Sequence, residues 1–544
     1  MRSLASSRTV LLPLSLALVG ALAGCRGAKK TAPEASEKEP ATEGIVAAAN
    51  NVALAEAPDD PSTFAKVDGP RLGAVAMALT IYEKPDRRSE KLGYLRLGAT
   101  VPRGEKPART DDCRGGYFNV LPKGYVCVDD GGTLDMQHPL VRAKLRRPHR
   151  DKPLPYAYAF VRAIAPRYYR LPSVAEQKKT EMALDRHIRS FERLKDKWNA
   201  IEVGSNDVPL DELGHALGRA PSSPPDITEH EKFGGDGDSA IPWFFQGGRQ
   251  IPNVSTFEVP DYAVMTNRIA RHAGVALIDA FDGDHRHFAL TTDLRLIPTS
   301  KLKPGRGAVF HGVELDEKKG LHLPIAFVKR EGGSAFYKPK AGGWTREADL
   351  GEHEAVQLTG EARGSGAKRY VEASDGEWLR AADLAIVARP SKLPSFASGG
   401  ERWIDVSIQQ QVLVLYEGKK PVYATMVSTG RDGLGDPKTT LSTPTGTFRV
   451  REKHVTTTMD SAIVGAKFEL NDVPWVQYFK AGYALHAAYW HQSFGHARSH
   501  GCINLSPIDA FRIFNWSDPP VPADWHGANA TDTLGEGTRV HIHP

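Results

Sequence analysis

The sequence predicts a mainly β, multi-domain protein, and three observations carry that expectation. A chain of 544 residues exceeds what one hydrophobic core organises and has room for about three or four domains. Short apolar runs broken by Gly, Pro and Asp recur from Arg71 to Leu134, from Ser334 to Leu379 and again from Trp403 onward, the pattern of strands joined by tight turns. Helical spacing stands out in one interval, Ala183 to Trp198, where Leu184, Ile188, Phe191, Leu194 and Trp198 would share a face.

The composition, 41% hydrophobic and 25% charged, is that of an ordinary soluble protein, and a net charge of +5 over this length is slight. Lys and Arg form no block interleaved with aromatics, so no nucleic-acid partner is expected.

At the N-terminus, Arg2 and Arg8 precede an apolar run from Val10 to Ala23, too short to span a bilayer comfortably, which ends in Leu22-Ala23-Gly24-Cys25. This segment resembles a bacterial lipoprotein signal. The resemblance implies loss of residues 1–24, a lipid on Cys25, and export to the cell envelope with the membrane as a partner. Arg26 stands where an inner-membrane retention signal often has Asp, which hints at the outer membrane. Residues 25–66 are rich in Ala, Pro, Glu and Lys and nearly free of aromatics, the composition of a disordered tether.

Residues 67–135 show four short apolar runs: Ala76 to Tyr82, Lys91 to Leu97, Tyr117 to Leu121 and Tyr125 to Val128. A comparable layout returns in residues 321–390, which close on a strand, an Asp375-Gly376 turn and a second strand. Both segments resemble bacterial SH3-like modules. Residues 136–320 read as a mixed middle region holding the amphipathic helix, a mobile loop over Arg219 to Gly248, and a hairpin of Val275 to Phe281 with Phe288 to Ile297. Residues 391–400, with Pro394, Gly399 and Gly400, read as the linker to a last domain over 401–544.

Four cysteines are present: Cys25, Cys113, Cys127 and Cys502. Cys113 and Cys127 are close enough in sequence to close a short disulfide loop in an oxidising compartment, which leaves Cys502 as an unpaired thiol. Around it runs Arg498-Ser499-His500-Gly501-Cys502-Ile503-Asn504-Leu505, a Gly-containing turn followed by Asp509 to Phe514 as a helix. Sixteen positions before Cys502, the apolar strand Ala484-Leu485-His486-Ala487 delivers a histidine.

A thiol of pKa roughly 8.5 is only a few per cent ionised near neutrality, so a neighbouring imidazole that accepts its proton supplies the nucleophile as a thiolate–imidazolium pair. Gly501 permits a sharp turn in which the amides of Gly501 and Cys502 face a developing oxyanion. Ser499 and Asn504 suit side-chain bonds that fix the loop, and His500 suits ordering that turn or contacting substrate. Trp475, Tyr478, Tyr483 and Trp490 read equally as core and cleft wall or as a substrate platform. A metal site from His486, His491, His496, His500 and Cys502 is chemically conceivable, but no HExxH or paired CxxC spacing supports it, so no metal and no cofactor are expected.

Taken with Thr443-Pro444-Thr445-Gly446 upstream, the pairing of a strand-borne His with Ser-His-Gly-Cys-Ile-Asn resembles the L,D-transpeptidase (YkuD-like) signature over about 140 residues. The resemblance implies a β-sandwich-like catalytic domain with Cys502 as nucleophile and His486 as base, oriented by the carbonyl of Ala487. It also implies peptidoglycan stem peptides as substrate and cross-linking as the activity, with carboxypeptidase, amidase or protein-anchoring use of the same site as alternatives. A wall-binding adaptor with a degenerate catalytic domain is the non-enzymatic alternative.

Overall fold

The computed structural model describes residues 60–143, 148–199, 228–236, 240–248, 259–260, 262–318, 320–374, 376–461 and 468–544. Cys25, the expected signal segment and the expected tether up to residue 59 lie outside these. The tether ends earlier than expected, because residues 60–66 already pack: the amide of Ala65 donates to Asn119 Oδ1 at 3.0 Å and that of Lys106 to the carbonyl of Ser62 at 3.0 Å. Among the described residues no helix is long and apolar enough to cross a membrane.

The architecture is mainly β, as the alternating runs predict. The first β unit carries a three-stranded sheet of Thr100–Pro102, Arg71–Ala74 and Gly132–Thr133, while Lys91–Arg96, Ala78–Tyr82, Tyr125–Cys127 and Tyr117–Asn119 form one end of a 16-stranded sheet, joined to it where Lys91–Arg96 pairs with Gly527–Asn529. Leu72, Leu79, Ile81, Leu92, Val101 and Val126 fill its core, and a disulfide joins Cys113 to Cys127 with Cα atoms 5.9 Å apart. Trp525 from the C-terminal region enters the same core, so this unit is not a free bead.

In the middle region the helix Leu184–Asn199 occupies the predicted interval, burying Leu184 and Phe191 against the segment Thr299–Gly305. The expected two-strand hairpin is three-stranded. Gly274–Asp282 pairs with His287–Thr291, which turns at Leu294 (φ 62°) into Leu296–Pro298. A run such as Phe288 to Ile297 carries no Gly or Pro to mark that second turn. The loop over Arg219 to Gly248 also needs correction where it is described. Phe233, Phe244 and Phe245 are buried in two separate cores, so burial of aromatic surface anchors those parts of the segment; residues 219–227 lie outside the described set.

A seven-stranded sheet spans Ile325–Val328 to Leu384–Val387, with Tyr370–Ala373 paired to Trp378–Arg380 across the predicted turn, whose Asp375 lies outside the described residues. The segment 391–400 differs from a free linker. It contains a short 3₁₀ turn, Ser395–Gly399, whose Ala397 is buried while Phe396 packs edge-on against Trp403 at 5.4 Å.

In the C-terminal region, strands Lys420–Met426, Val412–Glu417, Arg402–Ser407, Arg539–His543 and Gly446–Arg449 form one sheet, with Val313–Glu314 of the middle region added at its edge. A second layer contains Glu452–Ser461, Phe468–Lys480, Tyr483–Ala487 and Ile503–Leu505. Between them lies a core of Ile404, Leu413, Leu415, Val455, Leu485 and Ile503, closed by the helix Pro507–Trp516. Ser506 caps that helix by accepting the Asp509 amide at 3.0 Å. The buried Lys453 Nζ donates to the carbonyls of Phe514 and Ser517 at its C-terminal end, both at 2.6 Å.

Asp472 ties three regions together. Its carboxylate is buried, bonded bidentately by Arg96 of the first β unit, by Thr292 of the middle region and by Thr456 of its own sheet. Gly274 pairs with Leu470 in parallel, which carries the middle sheet into the C-terminal one.

Candidate active site

The strand Tyr483–Ala487 lies between Phe468–Lys480, antiparallel, and Ile503–Leu505, parallel, with His486 opposite Asn504. Side chains alternate along strands, so the register partners His486 and Asn504 share a face, and Cys502 stands in the turn immediately before Ile503–Leu505. His486 and Cys502 line one cleft of ≈ 370 Å³.

The turn before Cys502 is built for glycine. Gly501 has φ 119°, and a Cβ there would lie 2.7 Å from Tyr483 Cε1. The Ser499 hydroxyl accepts the Gly501 amide at 3.0 Å and donates to the Cys502 carbonyl. Thr443 Oγ1 donates to the Gly501 carbonyl at 2.8 Å and accepts the Gly430 amide at 2.9 Å, so the Thr-Pro-Thr-Gly segment clamps the nucleophile turn from the opposite sheet. This corrects one expectation. The Gly501 amide does not face an oxyanion position, because Ser499 engages it.

Proton positions follow from the partners. His486 Nδ1 lies 3.1 Å from the Ala487 carbonyl oxygen, an acceptor only, so Nδ1 carries the hydrogen and Nε2 keeps a lone pair. Burial holds the His486 imidazole down at about 4 despite that bond, and burial pushes the Cys502 thiol up to about 11, against a lowering contribution from the Ala484 backbone amide. The thiol donates to the Gly482 carbonyl at 3.7 Å. Burial therefore favours the neutral form of each group. Desolvation thus opposes charge on either group taken alone.

The remaining candidates separate. Asn504 Nδ2 donates to His491 Nε2 at 3.1 Å, and burial, followed by Arg498, lowers His491 to about 4. His500 stands exposed at the cleft lip, its imidazole lowered by partial burial and by Arg431. His496 instead reaches the Lys329 carbonyl at 2.9 Å, away from the cleft. Trp475 is core, its indole N–H donating to the Pro153 carbonyl, whereas Trp490 is a cleft wall 5.7 Å from the His486 ring.

Sequence reasoning missed Phe160 and His272, which complete the cleft from the middle region, and Arg498, which lines it beside Ser499. Phe160 sits half-buried in the apolar strand Ala157–Val161 and His272 in a left-handed turn (φ 73°), so neither position carries a sequence signal.

A free cysteine in the turn before Ile503–Leu505 and a histidine on the neighbouring strand Tyr483–Ala487 therefore line one cleft. Residues 401–542 match the family model of the L,D-transpeptidase catalytic domain, YkuD. Similar solved structures are L,D-transpeptidases. One from Xylanimonas cellulosilytica (residues 123–326) is 24% identical over 28% of this chain and 64% of its own, with a TM-score of 0.20. The catalytic domain from E. faecium is 22% identical over 26% of this chain and 98% of its own, with a TM-score of 0.20. L,D-transpeptidase 3 from Mycobacterium tuberculosis, in complex with a faropenem-derived adduct, is 17% identical over 35% of this chain and 79% of its own, with a TM-score of 0.21. The chain spans less than two thirds of the Xylanimonas structure and 55% of the one from Stackebrandtia nassauensis. No functionally curated protein matches the sequence.

Proposed function

We propose that this protein is a cell-envelope L,D-transpeptidase that cross-links peptidoglycan stem peptides through a thioester on Cys502, with His486 as the proton carrier. The observation that carries the reading is the shared cleft of the free thiol and an imidazole whose Nδ1 is fixed on the Ala487 carbonyl, leaving Nε2 to act. In the first half-reaction Nε2 takes the thiol proton as sulfur bonds to the carbonyl carbon of a diaminopimelate-type residue, at the peptide bond that joins it to the terminal D-alanine. The same proton passes to the departing amine, D-alanine leaves, and the thioester remains. In the second, Nε2 takes a proton from a side-chain amine of another stem as its nitrogen attacks the thioester. An amide forms, the proton returns to sulfur, and the thiol is restored.

Neutral forms of both groups suit this sequence, since the proton moves as the carbon–sulfur bond forms rather than before it. Export and anchoring follow in this reading from the lipoprotein-like signal at Cys25. The two β-rich accessory segments, with their SH3-like patterning, would then serve to present the wall to the cleft.

Incubating the purified chain with disaccharide-tetrapeptide and reading products by mass spectrometry tests the proposal. A cross-linked dimer that has lost one D-alanine, absent with Cys502→Ala, is expected. Dimer formation unchanged by that substitution would remove Cys502 from the mechanism, and tripeptide monomer as sole product would make the enzyme a carboxypeptidase. For the anchor, Cys25→Ala is expected to move the protein from the membrane to the soluble fraction.

A further inference from the structure

The middle region brings together three donor atoms that the acyl-transfer reading leaves unused. Asp282 ends the strand Gly274–Asp282, and His287 opens the next and is its register partner across the hairpin. His230, from the segment preceding the short turn Glu231–Phe233, lies over both. Its backbone is held there by the amides of Phe233 and Gly235, each donating to the His230 carbonyl at 2.9 Å. Gly235 approaches the strand so closely that a Cβ would lie 2.4 Å from the Ala280 carbonyl.

His230 Nε2 is 3.1 Å from Asp282 Oδ1 and 3.2 Å from His287 Nδ1, and His287 Nδ1 contacts the same carboxylate oxygen. The three atoms form a closed triangle. Hydrogen bonds to the carboxylate satisfy two of its edges, but the third sets two ring nitrogens face to face, where two N–H groups would repel. One cation at the centre satisfies all three at once. Edges of 3.1 and 3.2 Å approach the ~3.3 Å edge of a tetrahedron whose metal–nitrogen bonds are about 2.0–2.1 Å.

We infer that His230, Asp282 and His287 form a site for a divalent transition-metal ion, of which Zn²⁺ is the best match. Calcium and magnesium take oxygen ligands, whereas two imidazoles and one carboxylate suit zinc. A cavity lined by Asp282, His287, Arg286, Phe191 and Ser300 adjoins the triangle and leaves room for a water as fourth ligand. The bound ion clips the segment 228–235 onto the hairpin. It lies at the far end of the strand from Gly274, which contacts Tyr489 beside the cleft, so about 27 Å of strand separates the ion from the acyl-transfer site.

Sequence spacing hid the site, because His230 is far from the hairpin in the chain and Asp282 and His287 meet only through strand register. The test uses the chelator-treated full chain titrated with Zn²⁺ by calorimetry, with bound metal counted by mass spectrometry. One Zn²⁺ per chain is expected. His287→Ala and Asp282→Asn should each weaken binding by at least the ~100-fold that loss of an outer-shell partner can cost, while Cys502→Ala leaves it unchanged. Should the ligand variants misfold, Co²⁺ added to the unaltered chain gives a second reading: a visible d–d band without a thiolate charge-transfer band. No uptake, uptake indifferent to His287 and Asp282, or a Co²⁺–thiolate band lost with Cys502 would each overturn the inference.

Discussion

Arg96→Met removes the cation that keeps Asp472 ionised in the interior. Burial alone would raise this carboxyl, but Arg96, with Thr292 and Thr456, lowers it to about 2 from an ordinary 3.8. At roughly 1.4 kcal/mol per unit, that depression contributes on the order of 2–3 kcal/mol. The contribution is complete above pH 3.8 and is lost as pH falls through about 2. Without Arg96 the sign reverses: the carboxyl rises above its unfolded value, and stability falls as pH increases. Breaking such a pair by removing one partner costs about 3–5 kcal/mol, a large share of the 5–15 kcal/mol typical of a folded domain. Urea denaturation of the full chain at pH 7 and pH 5 reads both effects. Arg96→Met should lower the midpoint at pH 7 by that amount and recover part of it at pH 5. Adding Asp472→Asn, which tolerates the left-handed backbone there (φ 53°), should restore stability relative to the single variant. A loss below about 1 kcal/mol, or a double variant no better than Arg96→Met, would refute the claim that this carboxylate locks three regions into one body.

Gly501→Ala forces a side chain into a left-handed position against Tyr483, and strain on the order of 1–3 kcal/mol should slow acylation of Cys502 by about 10- to 100-fold in stopped-flow measurements. A thiol near pH 11 implies that iodoacetamide modifies Cys502 at pH 7 on the order of 100-fold more slowly than a free cysteine, with a rate rising through pH 9; a plateau below pH 7 would reveal a preformed ion pair. His486 and His491, each lowered to about 4 mainly by burial, bind fewer protons folded than unfolded between pH 4 and 6.5. Stability should therefore fall on acidification through that window, and His491→Gln should blunt the slope measured by thermal unfolding.

The parts of the fold that repeat a local period were readable in sequence. Leu184 and Phe191 mark their helix because a buried stripe needs 3.6-residue spacing, and the runs ending at Tyr82 and Val128 mark strands because a half-buried sheet needs alternation. The turn that carries Cys502 was readable because glycine, serine and asparagine around a thiol record a constrained backbone. What sequence did not show depends on register and packing between distant segments. The clamp by Thr443, the engagement of the Gly501 amide by Ser499 and the entry of Phe160 and His272 into the cleft arise only once sheets are assembled. Burial, which opposes charge on either His486 or Cys502 taken alone, likewise arises only in the folded chain.

The most direct measurement is intact-protein and peptide mass spectrometry after exposure of the full chain to a carbapenem. The account predicts one covalent adduct, mapped to Cys502, whose formation is abolished in Cys502→Ala and slowed in His486→Gln, a substitution that removes the basic Nε2. An unmodified Cys502 in folded protein, or an adduct formed equally fast without His486, would contradict it.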